Sequence, residues 1–291
     1  MMDRYTLADL EKLTGIMAGT IRIWERRYHI IKPHRTDTNR RWYDDDDLKR
    51  IINIAILNRN GLKISKIATL TEQEIAGKVA ALARESNDTE IQIDSMIAAM
   101  TGFNENAIND ILMRSIINTG FEVTFENIVF PFLRRIGIMW HTGSVDIGAE
   151  HFVSNIFRKR LICAIDSLPS GEKPDRKKVI LYLPEDELHE LGLLFYTFMV
   201  RKAGHETLYL GQSTPLNAIE DVVERWQPDI IITGALTGLP FSGPEDYLER
   251  MSSAFSDRKI LISGALAHTA DKVNLNNVFA VTSVSDLKKH I

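Results

Sequence analysis

A chain of 291 residues allows two or three domains, and its 44% hydrophobic content is enough to give each a core. The formal net charge of −4 excludes whole-surface affinity for nucleic acid, so any such binding must come from a local concentration of cations. No apolar run approaches the roughly 18 to 20 residues that span a bilayer, and the start has no charged-then-apolar leader pattern, so a soluble cytoplasmic protein is expected, with no membrane partner. The one cysteine, Cys163, excludes internal disulfides and cysteine-based zinc sites; among Leu161, Ile162, Ala164 and Ile165 it reads as a core thiol.

Residues 1–75 form the first predicted domain. Thr6 caps a short helix whose Leu7, Leu10 and Leu13 share a face, Gly15 supplies a turn, and Thr20 starts a second helix. In that helix Ile21, Trp24 and Tyr28 make an apolar stripe, leaving Arg22, Glu25 and Arg26 to face outward, as suits a recognition helix. The segment from Pro33 to Tyr43 reads as a hairpin wing with arginines near its tip. From Arg22 to Arg41 there are seven Lys or Arg against two acids, a density suited to phosphate contacts and minor-groove insertion. The acids Asp44 to Asp47 read as a helix N-terminus favoured by the macrodipole.

These residues carry a resemblance. The run from Thr20 to Tyr28, Pro33-x-Arg35, Arg40-Arg41-Trp42-Tyr43, and Asp47-Leu48 leading to Asn60-Gly61-Leu62-Lys63-Ile64-x-x-Ile67 resemble the winged-helix domain of the MerR family of transcription regulators. The resemblance implies double-stranded operator DNA as a partner, with Thr20, Arg22, Arg26, Arg27, Arg40, Arg41 and Trp42 as contact residues. The metal and drug sensors of that family continue into a long dimerisation helix. Here Thr71-Glu72-Gln73-Glu74 instead opens a short helix to about Arg84, so self-association has to come from elsewhere.

Residues 87–168 form the second predicted domain. Four apolar-periodic stretches, 89 to 101, 104 to 119, 124 to 141 and 145 to 168, are separated by Gly102, Gly120 and Gly143 and predict an antiparallel four-helix bundle. Trp140-His141, and beyond a turn Glu150-His151, would fall near one end of the last two helices. Taken singly, the Trp suits a core and the Glu-His pair a solvated helix face.

Residues 177–291 form the third. Strands at 178–183, 207–210, 229–233, 259–263 and 278–282 alternate with helices at 188–203, 215–226, 244–256 and from about 284, which predicts a doubly wound parallel sheet of flavodoxin-like or Rossmann-like type. No dinucleotide glycine fingerprint follows the first strand. Its exit loop is Glu187-Leu188-His189-Glu190-Leu191-Gly192, at the end of the sheet where α/β ligands bind. A carboxylate two residues before a histidine can fix its tautomer and make the imidazole a better metal ligand, although a histidine between glutamates at a helix start also suits a solvated cap.

The Glu187-x-His189-x-x-Gly192 loop resembles the Asp-x-His-x-x-Gly signature of cobalamin-binding domains, and the whole chain resembles the light-responsive MerR regulators of the CarH and LitR type. The resemblance implies adenosylcobalamin as cofactor, with His189 as lower cobalt ligand and Glu187 as its orienting partner. It also implies a bundle covering the upper corrin face through Trp140, His141, Glu150 and His151. Trp140 and Glu150 would shelter the adenosyl group, and His141 would replace it as metal ligand once lost. Gly192, Gly211, Gly234, Leu236, Ser263 and Gly264 stand at the cofactor's remaining contact positions. Three positions depart from the pattern. Glu187 stands for Asp, Gly234-Ala235-Leu236 for the Ser-x-Leu that lines the nucleotide-tail slot, and Ser263-Gly264 for a glycine pair. The expectation is a non-enzymatic DNA-binding regulator, a repressor, whose assembly as dimer or tetramer is set by the cofactor. A cobalamin-independent sensor with a degenerate pocket and a corrinoid methyltransferase subunit are the competing readings.

Overall fold

In the computed structural model, residues 5–36, 40–85, 88–141, 147–169, 174–236 and 243–291 are described, apart from the side chains of 80, 83–85, 140 and 141. The chain divides into two compact units, Met1–Ile156 and Phe157–Ile291.

The first unit holds both the predicted head and most of the bundle. Helix α1 (Leu7–Thr14) starts at a capping box between Thr6 and Asp9 and ends at Gly15, whose φ of 68° is the left-handed conformation a glycine takes without cost. Helix α2 (Ala18–Tyr28) begins before Thr20, after Met17, which makes no side-chain cap; the Ala18 N–H donates instead to the Glu11 carboxylate at 3.2 Å. Strands β1 (His34–Arg35) and β2 (Arg41–Trp42) pair antiparallel as the wing, extended by a Tyr5–Tyr43 bridge. Helix α3 (Asp45–Arg59) starts at the reciprocal box of Asp44 and Asp47, as the acidic run predicts. Its buried run Ile51 to Leu57 makes it the spine of the unit. Helices α4 (Ile64–Ile67) and α5 (Glu72–Glu85) follow, α5 opened by Thr71 and Glu74.

Helix α6 (Thr89–Thr101) is buried without a break from Ile91 to Met100, because α3 and α5 pack on it from the head and α7 (Glu105–Thr119) from the bundle. Next come α8 (Phe121–Thr124), a π turn at Phe125–Val129, and α9 (Phe130–His141). The wide turn sits just before Pro131, whose ring would collide with a carbonyl four residues back in a regular helix. Helix α10 (Ile147–Asp166) carries Glu150 and His151 and runs on into the second unit. Cys163 lies on it and is exposed, not a core thiol. Its apolar neighbours misled, because Ile162 is exposed beside it while Leu161 alone of that run is fully buried.

The second unit is a five-stranded parallel sheet in the order β4-β3-β5-β6-β7, built from β3 (Lys178–Pro184), β4 (Glu206–Thr214), β5 (Ile230–Ala235), β6 (Lys259–Gly264) and β7 (Val278–Ala280). The connecting helices are α11 (Leu191–Lys202), α12 (Leu216–Trp226), α13 (Pro244–Ala254), α14 (Ala265–Ala270) and, last, α15 (Val284–His290). The order is the flavodoxin-like one, and the chain reverses direction across the sheet between β3 and β5, which opens a crevice at their C-terminal ends. Strand β4 is longer than 207–210 and slips register twice against β3, so its end reaches the loop beyond Pro184. The six-residue α14 is too short for a periodicity signal and went unpredicted.

Candidate functional site

On the head, α2 buries Ile21 and Trp24 and exposes Arg22, Arg26 and Arg27, giving one helix face of three guanidinium groups. Tyr28 is half-buried under Arg27, which lies 5.4 Å from its ring centroid, and Thr20 is half-buried. Glu25, expected to face outward, turns to the wing: it accepts from the Tyr43 hydroxyl at 3.2 Å and pairs with Arg41 at 3.5 Å. Arg41 therefore braces wing to helix. Trp42 stacks on His34 at 4.2 Å, and Arg40, exposed, closes the wing through its backbone on Thr36. The wing tip, 37–39, lies outside the described residues. Sequence reasoning missed Ile23, which is 59% exposed among the arginines and suits apolar contact with a thymine methyl. His34, Asp44 and Asp47 also converge within 4.8 Å of one another, but the two aspartates form the α3 cap.

The head is tied to the bundle inside the same unit. Asp94 of α6, 2% exposed, takes Arg135 of α9 at 2.6 Å and Arg59 of α3 at 2.9 Å. The same two arginines donate to the carbonyls of Leu13 and Thr14, the orphan acceptors at the end of α1, at 2.8 and 3.1 Å. Further along α9 stand Trp140 and His141, whose side chains lie outside the described residues. At the start of α10, Glu150 lies 2.9 Å from His151 Nδ1 and accepts from Ser154 at 2.5 Å; His151 is exposed and Glu150 half-buried.

In the second unit the loop after β3 is built around Glu187, which is 3% exposed. Its Oε1 accepts from the His189 backbone N–H at 2.8 Å and lies 2.6 Å from His189 Nδ1. Its Oε2 accepts the Leu236 N–H at 2.8 Å, so one carboxylate holds the histidine and the end of β5 together. From the other side the end of β4 pins the loop: Gln212 donates to the Leu188 carbonyl at 2.5 Å, and Ser213 donates through its N–H to the Glu187 carbonyl at 3.2 Å. Glu190, also buried, accepts from Arg158 of α10 and from the Tyr209 hydroxyl at 2.6 Å. Burial, then the Glu190 charge, hold the Tyr209 hydroxyl well above its ordinary pKa. That support was illegible in sequence, since Arg158, Glu190 and Tyr209 share no motif.

The His189 side chain is 54% exposed, and Leu188 and Leu236 at 61% and 64% flank its loop with apolar surface. With Nδ1 committed to a buried carboxylate, Nε2 is the nitrogen with a lone pair for a metal. The loop thus offers a metal-bearing apolar ring a single imidazole donor flanked by apolar surface. Gly192 has no atom within 4 Å of an added Cβ, so packing does not require a glycine there; Gly211, at φ 80°, does need one. At the ends of β5 and β6 the backbones meet closely. A Cβ on Gly234 would lie 2.3 Å from Ser263 Oγ, and one on Gly264 would lie 2.3 Å from the Ala235 carbonyl oxygen.

Residues 5–74 match the family described as MerR HTH family regulatory protein, and residues 92–163 match the B12 binding domain. The chain is similar to the HTH-type transcriptional repressor CarH of Myxococcus xanthus, at 29% identity over 92% of this chain and 91% of that one. It is also similar to the HTH-type transcriptional repressor CarA of the same organism, at 24% identity over 84% and 80% of the two chains. Its fold resembles the monomethylamine corrinoid protein of Methanosarcina barkeri, with a TM-score of 0.56 at 11% identity, covering 70% of this chain and 98% of that one. Among the described residues no helix is long and apolar enough to cross a membrane.

Proposed function

Because this chain joins a MerR-type helix-turn-helix domain to a B12-binding domain, we propose that it is a DNA-binding transcriptional repressor whose hold on its operator is governed by adenosylcobalamin. The observation that carries the reading is the double use of Glu187, which orients His189 and anchors the end of β5 with one carboxylate. When bound, the cofactor supplies a cobalt–carbon bond that light breaks. The chain's own part is to hold and shield. Glu187 keeps the His189 proton at Nδ1, which leaves Nε2 for the metal, and Leu188 and Leu236 cover apolar ring surface. On the resemblance alone, Trp140, His141, Glu150 and His151 would be the bundle residues that hold and shield the upper ligand, with Glu150 beside His151. Arg22, Arg26, Arg27 and Arg40, with Thr20 and Trp42, meet the DNA, while Arg41 holds the wing in place.

Switching requires that the assembled and separated states differ in affinity for the cofactor. Assembly as a dimer or tetramer then sets several basic heads on one operator, a multivalent gain that needs no new contact. Operator sites selected from a random duplex pool, followed by fluorescence anisotropy, test this. Affinity is expected to be at least about tenfold higher with adenosylcobalamin in the dark than without it or after green light. Equal affinity in all three conditions overturns the reading.

A further inference from the structure

His189 stands between two buried carboxylates. Glu187 holds its ring; Glu190, the next residue, holds something else. Glu190 is 6% exposed although it opens α11, a place where a glutamate is ordinarily solvated. Partners from two other elements make that burial possible: Oε1 accepts from Arg158 Nε of α10, and Oε2 accepts from the Tyr209 hydroxyl of β4 at 2.6 Å. The ends of β4 and β5 hold the loop at Glu187 and Leu188, before the histidine. Glu190 holds it after the histidine, and Leu188 and His189 between these anchors are exposed.

We infer that Arg158 is a positioning residue for His189: acting through Glu190, it fixes the far side of the histidine loop to α10, so that the imidazole is aimed from α10 as well as from the sheet. What the imidazole meets rests on the corrinoid reading above; how it is aimed rests on these contacts alone. Glu187 sets which ring nitrogen carries the proton, and the anchor on the adjoining residue, about 3.8 Å away between Cα atoms, keeps the ring from swinging off that carboxylate. The Arg158 side chain is half-exposed, so its pair with Glu190 contributes little to folding and can be removed without unmaking the sheet. The same helix carries Glu150 and His151 about two turns before Arg158. Helix α10 therefore has a hold on the histidine assigned to the lower face as well as bearing residues assigned to the upper one.

In the full-length protein Arg158→Ala, with Arg158→Lys as its conservative partner, separates aiming from folding. Without any cofactor, ring-nitrogen NMR of isotope-labelled histidine, with His189 identified by its loss in His189→Gln, is expected to show the proton on Nδ1 in the parent. A mixture of tautomers is expected in Arg158→Ala and the parent pattern again in Arg158→Lys, with melting temperatures that agree within about two degrees. In the dark, adenosylcobalamin gives the affinity, and adenosylcobinamide, which brings no base of its own, shows by its absorbance whether the protein's imidazole is on the cobalt. Arg158→Ala is expected to bind about tenfold more weakly, with part of its corrin free of imidazole, and Arg158→Lys to restore the ligated spectrum. Arg158→Ala combined with Glu190→Gln is expected to bind no more weakly than Glu190→Gln alone, because the one acts through the other. A parent-like tautomer and spectrum in Arg158→Ala overturn the inference, as does a double variant in which the two losses add. A parent chain that binds no corrinoid overturns the corrinoid reading instead, and the tautomer measurement then decides the role of Arg158 by itself.

Discussion

Glu187 is one methylene longer than the aspartate of the cobalamin signature, and its two oxygens reach different loops: Oε1 the histidine, Oε2 the Leu236 N–H. An aspartate at this position keeps one of these contacts at the expense of the other. Glu187→Asp is therefore expected to weaken adenosylcobalamin binding about tenfold, and Glu187→Gln, which removes the charge that raises imidazole basicity, by about ten- to a hundredfold, read by absorbance titration in the dark. Parent-like affinity in both variants would place the histidine's support elsewhere. On the head, Arg22→Ala with Arg26→Ala is expected to lower operator affinity and flatten the dependence of log K on log salt, each lost phosphate contact removing about one unit of slope. Arg41→Ala is expected to act differently: it unpairs Glu25 and loosens the wing, so thermal stability falls along with affinity. An unchanged salt slope in the first variant would shift the DNA face away from α2.

The elements explain why head and bundle form one unit. Asp94 is buried between Arg59 of α3 and Arg135 of α9, and the same guanidinium groups close the end of α1. Removing a buried charge that holds two half-exposed cations is expected to cost on the order of 2 kcal/mol, the usual figure for a broken buried pair reduced for the arginines' access to water. Thermal unfolding of Asp94→Ala measures it; a melting temperature within about one degree of the parent would show that packing of α3 on α6 alone joins the two. Much of this architecture was legible in residue pattern. Thr6, Gly15, the Asp44–Asp47 box and the Thr71–Glu74 box each mark a helix end by local chemistry, and the structure has them there. The buried runs Val179 to Leu183 and Ile230 to Ile232 announced the sheet by their unbroken hydrophobicity. What was illegible depends on long-range contact. The α2 start is set by Glu11 from another helix, the exposure of Cys163 by which face of α10 is covered, and the Glu190 network by three residues scattered over about fifty positions.

At the scale of the whole chain, a basic winged head, a helical segment matching the B12 binding domain, and a parallel sheet with a histidine loop follow one another, and two relatives align over more than four-fifths of this length. The net charge of −4 fits this division, since the cations proposed to meet DNA are gathered on α2 and the wing and leave the remainder acidic. The pairing of His189 with Glu187 was readable because its chemistry is local: a carboxylate two residues away and a strand before it. What a sequence read one strand at a time does not register is that Gly234 and Ser263 face each other across β5 and β6. The central claim is that a corrinoid seated on His189 controls assembly. Its most direct test is size-exclusion chromatography of the full-length protein with adenosylcobalamin in the dark, read at protein and corrin wavelengths, repeated after green light and with His189→Ala. The account predicts corrin travelling with a large protein species that becomes smaller on illumination, and no such species in the variant. Protein eluting free of corrin, at one size in dark and light, would contradict it.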